Sequence, residues 1–172
     1  MSTSNNKFNV VVVGGGAGGL SVAAALRRRR PELDVAIVEP SEKHYYQPGW
    51  TLVGGGSMTA AQTMRYEAAC IPTGVTWLRD SVVSFEPDSN RVMLASGEAV
   101  SYDYLVVAAG LQLDWGKIDG LPATLGKNGV TSNYRFDLAP YTWQCIREFT
   151  GGRALFTQPA MPIKCAGAPQ KI

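Results

Sequence analysis

Six residues near the amino end have the types and the spacing of a phosphate-binding loop: Gly14-Gly15-Gly16-Ala17-Gly18-Gly19. In this pattern Gly14 permits a tight turn, and Gly16 lets a pyrophosphate approach the backbone. Gly19 then allows a helix to pack closely on a sheet. Because the amides at the amino end of a helix attract anions, we predict that this loop binds the phosphates of a dinucleotide.

An acidic residue, Glu39, lies 20 residues beyond Gly19. At this spacing a carboxylate accepts hydrogen bonds from a pair of ribose hydroxyls and repels a 2′-phosphate, which disfavours NADP. A glycine-rich turn without a ligand is the alternative. The dinucleotide site is favoured over that alternative, because a strand, the glycines, a helix, a second strand and the acidic residue follow one another in the expected order and spacing. These residues do not separate FAD from NAD, because both carry an adenosine and a pyrophosphate.

Two strands and one helix must position the loop. Phe8 to Val13 is a continuous valine-rich run, which is typical of a strand buried on both faces of a parallel sheet. Leu20 to Arg30 has apolar residues at helical spacing, and Pro31 blocks its continuation. Asp34 to Val38 is a second β-branched run that ends before Pro40. The sequence therefore predicts a β-turn-α-β unit.

The rest of the chain predicts further strands and helices, including a small antiparallel pair. Pro87-Asp88-Ser89-Asn90 has the chemistry of a turn and separates the two strands of that pair. In chain order the predicted segments are a loop with a short helical start (Lys43 to Gly56), a helix (Ala60 to Ala69), a strand (Val75 to Leu78), the antiparallel strands (Asp80 to Phe85 and Arg91 to Leu94), a strand (Ser101 to Ala109), a helix (Thr142 to Phe149) and a strand (Arg153 to Thr157).

Composition excludes several classes of function. The 172 residues carry a formal net charge of +2 and have a pI near 8.5, far from the clustered charge of a nucleic-acid-binding protein. The basic run Arg27 to Arg30 falls where the first helix is predicted to end, and cations there complement the helix dipole.

Met1 to Lys7 resembles neither a secretory signal nor a transit peptide, so we expect a cytoplasmic start. Three cysteines without C-x-x-C spacing or a histidine partner argue against a disulfide framework and against a zinc site.

The order of the segments resembles that of the flavoproteins that have two dinucleotide-binding domains. In that family a strand such as Tyr104 to Gly110 returns the chain to the flavin domain. Two further motifs, His44 to Gly54 and Phe156 to Ile172, are similar to the sulfide:quinone oxidoreductase family, specifically to the branch that includes the mitochondrial enzymes. The similarity covers the chain from Asn9 onward. It predicts an α/β fold: a Rossmann-like FAD-binding domain with a parallel sheet and a small antiparallel β insertion, within a truncated two-domain flavoprotein.

The resemblance implies FAD as the cofactor and assigns residues to it. Residues 1–120 would form the FAD-binding domain, and residues 121–172 a linker and the start of a second dinucleotide-binding-like domain. Cys165 is implied to be one of two redox cysteines. The residues implied to contact FAD are Ala17, Gly18, Glu39, Gln47 and Val82, with Gly110 close by.

The surroundings of Cys165 are consistent with a reactive thiolate. Lys164 is a neighbouring cation, and the small residues that follow are predicted to open a helix whose free amides also favour thiolate. A buried structural cysteine is the alternative. Cys70 and Cys145 lack such surroundings, and we interpret both as packing residues. His44, the only histidine in the chain, either transfers protons or simply satisfies its loop.

In the resembling family, the flavin takes two electrons from sulfide through a cysteine persulfide and passes them to a membrane quinone. The resemblance therefore implies sulfide, a quinone and a sulfane sulfur acceptor as partners, with peripheral membrane association of the full-length protein. It leaves homo-oligomer formation open. The second cysteine, the second domain and membrane-docking helices are expected outside these 172 residues, so we expect no turnover from this chain alone.

Two other functions stay open at this point. Another flavoprotein of the superfamily, such as a type II NADH dehydrogenase or a sulfide dehydrogenase, would share the first unit, although Cys165 in its motif argues against the NADH enzyme. A non-catalytic dinucleotide-binding fragment would share it too.

Overall fold

The computed structural model describes residues 6–157, which divide into two compact units. The first unit comprises the chain up to Tyr45 together with Arg65–Gln112. The second comprises Tyr46–Met64 together with the chain from Leu113 onward. Within the described residues, the strands are Lys7–Val13 (β1), Val35–Val38 (β2), Lys43–Tyr45 (β3), Met64–Tyr66 (β4), Val75–Leu78 (β5), Val82–Glu86 (β6), Arg91–Leu94 (β7) and Ala99–Val107 (β8). The helices are Ala17–Arg29 (α1), Trp50–Gly54 (α2), Leu121–Thr124 (α3) and Ala139–Glu148 (α4).

Six of these strands form one mixed sheet in the first unit, in the order β5-β2-β1-β8-β7-β6. The first four strands in this order, β5, β2, β1 and β8, are parallel, whereas β7 is antiparallel to both β8 and β6. β3 and β4 form a separate two-stranded sheet. This arrangement confirms the predicted α/β class, with a Rossmann-like parallel sheet and a small antiparallel addition.

β1 lies inside the sheet because its valines are buried on both faces. Val11 and Val13 belong to the apolar cluster on one face. Val10 and Val12 belong to the cluster on the other face, together with Ala23 of α1. Since burying a valine side chain stabilises a fold by about 1.5–3 kcal/mol, this run fixes β1 as the central element of the unit.

Helix α1 crosses from β1 to β2 as predicted, and it begins three residues before the apolar pattern does. A β-carbon at Gly19 would fall on the carbonyl oxygen of Gly14, so the helix and the strand approach each other more closely than a side chain allows. Basic residues fill the last turn of the helix, as expected. Among them, Arg27 donates hydrogen bonds to the carbonyl oxygens of Pro31 (2.6 Å) and Leu33 (2.8 Å) and so ties the helix to the following loop.

The predicted antiparallel pair is confirmed as β6 and β7. Pro87–Ser89 forms a short 3-10 turn between them, and Asn90 closes it with a φ of 48°. This left-handed conformation is one that asparagine tolerates better than most residues, because its side chain bonds locally to the backbone.

The prediction of a helix from Ala60 to Ala69 is wrong. The range contains no α-helix, and it begins with a 3-10 turn at Ala60–Thr63 that has a capping box formed by Thr59 and Gln62. The backbone then enters β4 and pairs with β3, and a second 3-10 turn follows at Glu67–Ala69. Pairing with a strand satisfies the backbone hydrogen bonds that a continuous helix would otherwise have made.

The prediction of a strand from Arg153 to Thr157 is also wrong. These residues are exposed and pair with no strand in the described part of the chain. A run of this composition becomes a strand only when a neighbouring strand packs against it, because strand preference depends mainly on that packing.

In the second unit, α2 and α4 pack against each other. The ring of Trp50 in α2 lies 6.2 Å from the ring of Phe136, centroid to centroid. The hydroxyls of Thr131 and Thr142 share a hydrogen bond of 2.8 Å. α4 begins three residues before the predicted start, because Pro140 is tolerated in its first turn. Within residues 6–157, no helix has both the length and the hydropathy needed to cross a bilayer.

We expect Gly19→Ala to lower the free energy of unfolding by about 1–3 kcal/mol, because the added methyl meets backbone atoms that cannot move aside. Urea unfolding of the longest polypeptide that the gene encodes measures the effect. Gly116→Ala is the matched control, since a β-carbon there has no atom within 4 Å, and it should change stability by less than about 0.5 kcal/mol. Equal losses in the two variants would contradict the close approach of α1 to β1.

Candidate functional site

The phosphate loop joins the end of β1 to the start of α1. Gly14 has a φ of 102°, a conformation that favours glycine, and its amide donates to the carbonyl oxygen of Val38 at 2.9 Å. Gly16 is the N-cap residue of α1, no side chain caps the helix, and its first turn contains no acidic residue. Among residues 6–157, no side chain accepts a hydrogen bond from the amides of this turn, which leaves the positive end of the helix able to bind an anion.

The space beside two of the loop glycines, Gly16 and Gly18, is open. A β-carbon at Gly16 would have no atom within 4 Å, and one at Gly18 would be 3.8 Å from the nearest, Ala108 Cβ. Ala17 lies between them, at the first position of α1. A pyrophosphate fits this arrangement of open backbone and free amides. The predicted loop residues are thus brought together at the carboxyl end of β1, and their contacts with a cofactor stay a prediction.

Glu39 lies at the carboxyl end of β2, beside the loop. Its Oε2 accepts a hydrogen bond of 2.8 Å from the amide of Gly15, and its Oε1 accepts one of 2.8 Å from the amide of Ser41. Each oxygen of a carboxylate accepts about two hydrogen bonds, so both keep capacity for a further donor. This half-buried carboxylate has the chemistry that the ribose hydroxyls of a dinucleotide require.

The remaining predicted residues are spread along the chain. Val82 begins β6 and packs against the buried cluster that includes β1. Gly110 follows β8, is exposed and has a φ of 78°. Gln47 begins a 3-10 turn of the second unit. Cys165 lies outside the described residues. The assignment of these four residues to the cofactor or to catalysis stays a prediction.

The other two cysteines, Cys70 and Cys145, are half-buried free thiols. Burial, and next the negative charge of Glu67, raise the pKa of the Cys70 thiol, which keeps it in the unreactive thiol form. Within residues 6–157, no three side chains of the metal-binding types come together.

Two side chains that were not assigned to the cofactor, His44 and Glu67, lie against Gly15. The Nδ1 atom of His44 is 3.3 Å from the Gly15 carbonyl oxygen and 3.4 Å from Glu67 Oε2. Glu67 is only 1% exposed, and its Oε1 has no hydrogen-bond partner among the described residues. A β-carbon on Gly15 would lie 2.5 Å from Glu67 Oε1 and 2.7 Å from Glu39 Cγ, so two carboxylates approach one glycine.

Burial raises the pKa of the Glu67 carboxyl; His44 acts against this effect, and the charge of Glu39 adds to it. Sequence reasoning missed Glu67 because a glutamate between Tyr66 and Ala68 carries no signal of burial. Only the pairing of β3 with β4 could have revealed it, since that pairing precedes the turn that places Glu67 inside.

We expect Glu67→Gln to gain stability relative to the wild type as the pH rises from 4.5 toward neutrality. The folded-state pKa of Glu67 lies above the ordinary value of 4.5, so the folded state holds more protons than the unfolded state above that pH. Wild-type stability therefore falls as the pH rises through the folded-state pKa, and the glutamine removes this loss. Melting temperatures across this pH range measure the effect. The control is Glu42→Gln, an exposed glutamate; a gain that is equal in both variants or independent of pH would contradict the expectation.

Residues 8–141 match the family described as pyridine nucleotide-disulphide oxidoreductase. The chain is 51% identical to the mitochondrial sulfide:quinone oxidoreductase of Dictyostelium discoideum over 140 residues, and 48% identical to that of Mus musculus over 139 residues. Both alignments cover 81% of this chain and 31% of the relative. The X-ray structure of the sulfide:quinone oxidoreductase from Aquifex aeolicus is 28% identical and has a TM-score of 0.68, again over 81% of this chain and 31% of that one.

The chain thus spans 31% of the length of the curated relatives that it matches. These similarities confirm the predicted resemblance to sulfide:quinone oxidoreductases. Because the family match extends over residues 8–141, the chain belongs to the pyridine nucleotide-disulphide oxidoreductase family.

Proposed function

We propose that this chain forms the FAD-binding part of an oxidoreductase that oxidises sulfide and delivers the electrons to a quinone. The observation that carries the proposal is the open phosphate loop, with Glu39 beside it, in a chain 51% identical to a sulfide:quinone oxidoreductase over 140 residues. The matched family and these relatives are FAD-dependent flavoproteins. When bound, FAD would supply the two-electron acceptor between sulfide and quinone.

The first unit supplies the groups for the adenosine and pyrophosphate part of FAD. Amides of the first turn of α1, at Ala17 and Gly18, would donate to pyrophosphate oxygens. Glu39 would accept hydrogen bonds from the ribose hydroxyls. Gln47, Val82 and Gly110 complete the proposed contacts. In this assignment residues 1–120 serve FAD binding, and residues 121–172 form a linker and the start of a second dinucleotide-binding-like domain.

Cys165 is the proposed redox residue, in a disulfide with the second cysteine that the resemblance implies. Hydrosulfide attacks one sulfur of that disulfide, so that a new S–S bond forms a persulfide on that cysteine. The original S–S bond breaks, and the other cysteine leaves as a thiolate. A sulfane sulfur acceptor then removes the outer sulfur, which leaves both cysteines reduced. Bound FAD would accept their two electrons as the disulfide re-forms, and the quinone would take these electrons from the flavin. The neighbouring Lys164 favours the thiolate form of Cys165.

The proposal includes peripheral association with a membrane surface, because a quinone is an apolar molecule that partitions into a bilayer. The names of the two curated relatives place those proteins in mitochondria. A homo-oligomer is compatible with this assignment.

We expect Gly16→Ala to weaken FAD binding by at least about tenfold, or about 1.4 kcal/mol. A methyl group would occupy the open space through which a pyrophosphate reaches the backbone. Titration of the longest encoded polypeptide with FAD, followed by flavin fluorescence, measures the affinity. Gly116→Ala is the control, because its β-carbon would also have no atom within 4 Å but lies in the second unit. Unchanged affinity in Gly16→Ala would contradict the proposed phosphate site.

We expect sulfide to bleach the oxidised flavin band of the same protein in an anaerobic titration, and a quinone to restore it. Cys165→Ser should abolish the bleaching by sulfide, because it removes one of the two sulfurs of the proposed disulfide. Cys145→Ser is the control, since that thiol is half-buried in α4 and has no proposed role. If NADH bleaches the flavin and sulfide does not, the protein is an NADH-type relative and the role of Cys165 is wrong. If no flavin binds, the chain is a non-catalytic fragment.

A further inference from the structure

His44 and Glu67 have no part in the proposed function, although both lie directly against the phosphate loop. His44 Nδ1 is within 3.4 Å of two oxygen atoms, the carbonyl oxygen of Gly15 and Oε2 of Glu67. The imidazole is mostly buried, with 18% of its side chain exposed, and the Glu67 side chain is 2% exposed. The pair therefore lies inside the unit and contacts the loop from the protein side.

The hydrogen bond between His44 and Gly15 requires a proton on Nδ1 of the imidazole. A carbonyl oxygen only accepts hydrogen bonds, so His44 Nδ1 must carry a hydrogen in order to bond to Gly15. A second proton is then available to the pair, either on Nε2 of His44 or on the carboxyl group of Glu67. With that proton the pair has no net charge, and without it Glu67 is a buried carboxylate beside a neutral imidazole. The proton belongs to the pair rather than to either residue alone.

The second proton affects anion binding at the loop because two carboxylates lie close to Gly15. Glu39 and Glu67 both approach this glycine. Glu39 accepts a hydrogen bond from the Gly15 amide, and Glu67 Oε1 lies beside the place that a β-carbon on Gly15 would occupy. Among the described residues, no group donates a hydrogen bond to Glu67 Oε1, so a charge on this buried oxygen is costly unless the pair holds its second proton. Other groups near the pair include Cys70, whose thiol pKa is raised by burial and by the charge of Glu67, and Arg65, whose charge lowers that pKa. A pyrophosphate at the loop would bring further negative charge to this place.

We propose that His44 and Glu67 hold a titratable proton behind the phosphate loop, and that this proton couples the affinity for the pyrophosphate of FAD to pH. The protonated pair keeps the Gly15 peptide in place at no net charge, and the loop binds the anion tightly. Loss of the proton leaves a buried negative charge behind the loop and weakens binding. His44 and Glu67 are positioning residues, because they act through Gly15. The inference rests on the proposed function, since it requires FAD at this loop.

The test is the affinity of the longest encoded polypeptide for FAD, measured from pH 4.5, the ordinary pKa of a glutamate, upward past neutrality. The wild-type affinity should fall as the pH rises, by up to about tenfold per pH unit, which is the limit for a single linked proton. Calorimetry in buffers of different ionisation enthalpy should show proton uptake on binding. Glu67→Gln keeps the shape of the side chain and removes its carboxyl proton, so its affinity should fall less steeply with rising pH than that of the wild type. Glu42→Gln should retain the wild-type pH dependence.

Variants of His44 provide a second test if Glu67→Gln does not fold. The amide of asparagine can place a donor where Nδ1 lies, so His44→Asn should keep the hydrogen bond to Gly15 and retain FAD binding. His44→Leu removes the donor to Gly15 and should bind FAD more weakly than His44→Asn at every pH. This difference between the two variants separates a hydrogen bond to the loop from a packing role.

The inference is overturned if wild type and Glu67→Gln show the same pH dependence, or if FAD binding takes up no protons. It is likewise overturned if His44→Asn and His44→Leu bind FAD equally well. Failure of the proposed function gives a different result: the wild type then binds no FAD at any pH, and the inference is lost together with it.

Discussion

The contact between Gly14 and Gly19 is the constraint on which the first unit depends. The carbonyl oxygen at the end of β1 faces the first turn of α1 so closely that no side chain fits between them. This contact sets the start of the helix directly above the end of the strand, which aims its free amides at the open side of the loop. The valines of β1 then bury both faces of the sheet behind the loop. Loop position, helix direction and sheet core therefore follow from one close approach.

The sequence predicted the β-turn-α-β unit because each of its elements has a local cause. The valine run predicts a buried strand, the glycines predict a turn, and Pro31 predicts the end of a helix. The start of α1 was missed by three residues because glycine and alanine carry no apolar signal. The residues around the loop, Glu39 included, were placed correctly beside it, since their spacing reflects the same unit.

The features that the sequence did not predict depend on contacts between distant segments. Glu67 is buried because β4 pairs with β3, and the apolar pattern around Glu67 gives no hint of that pairing. The segment from Arg153 to Thr157 has strand-like composition but no partner strand within the described residues. Two glutamates of the same unit, Glu39 and Glu67, also differ in the hydrogen bonds that they accept. Glu39 accepts two backbone hydrogen bonds, whereas Glu67 Oε1 accepts none from the part of the chain that the structure describes, and only the fold distinguishes the two residues.

The two hydrogen bonds to Glu39 have a consequence for ligand recognition. A free glutamate on a surface samples many rotamers, and immobilising such a side chain on binding costs about 0.5–1.5 kcal/mol. The amides of Gly15 and Ser41 already hold this carboxylate in one orientation before any ligand arrives. The entropy of ordering it is therefore lost during folding and not during association. A ligand that presents two adjacent hydroxyls meets a rigid acceptor, so a mismatch in their spacing cannot be absorbed by rotation of the side chain.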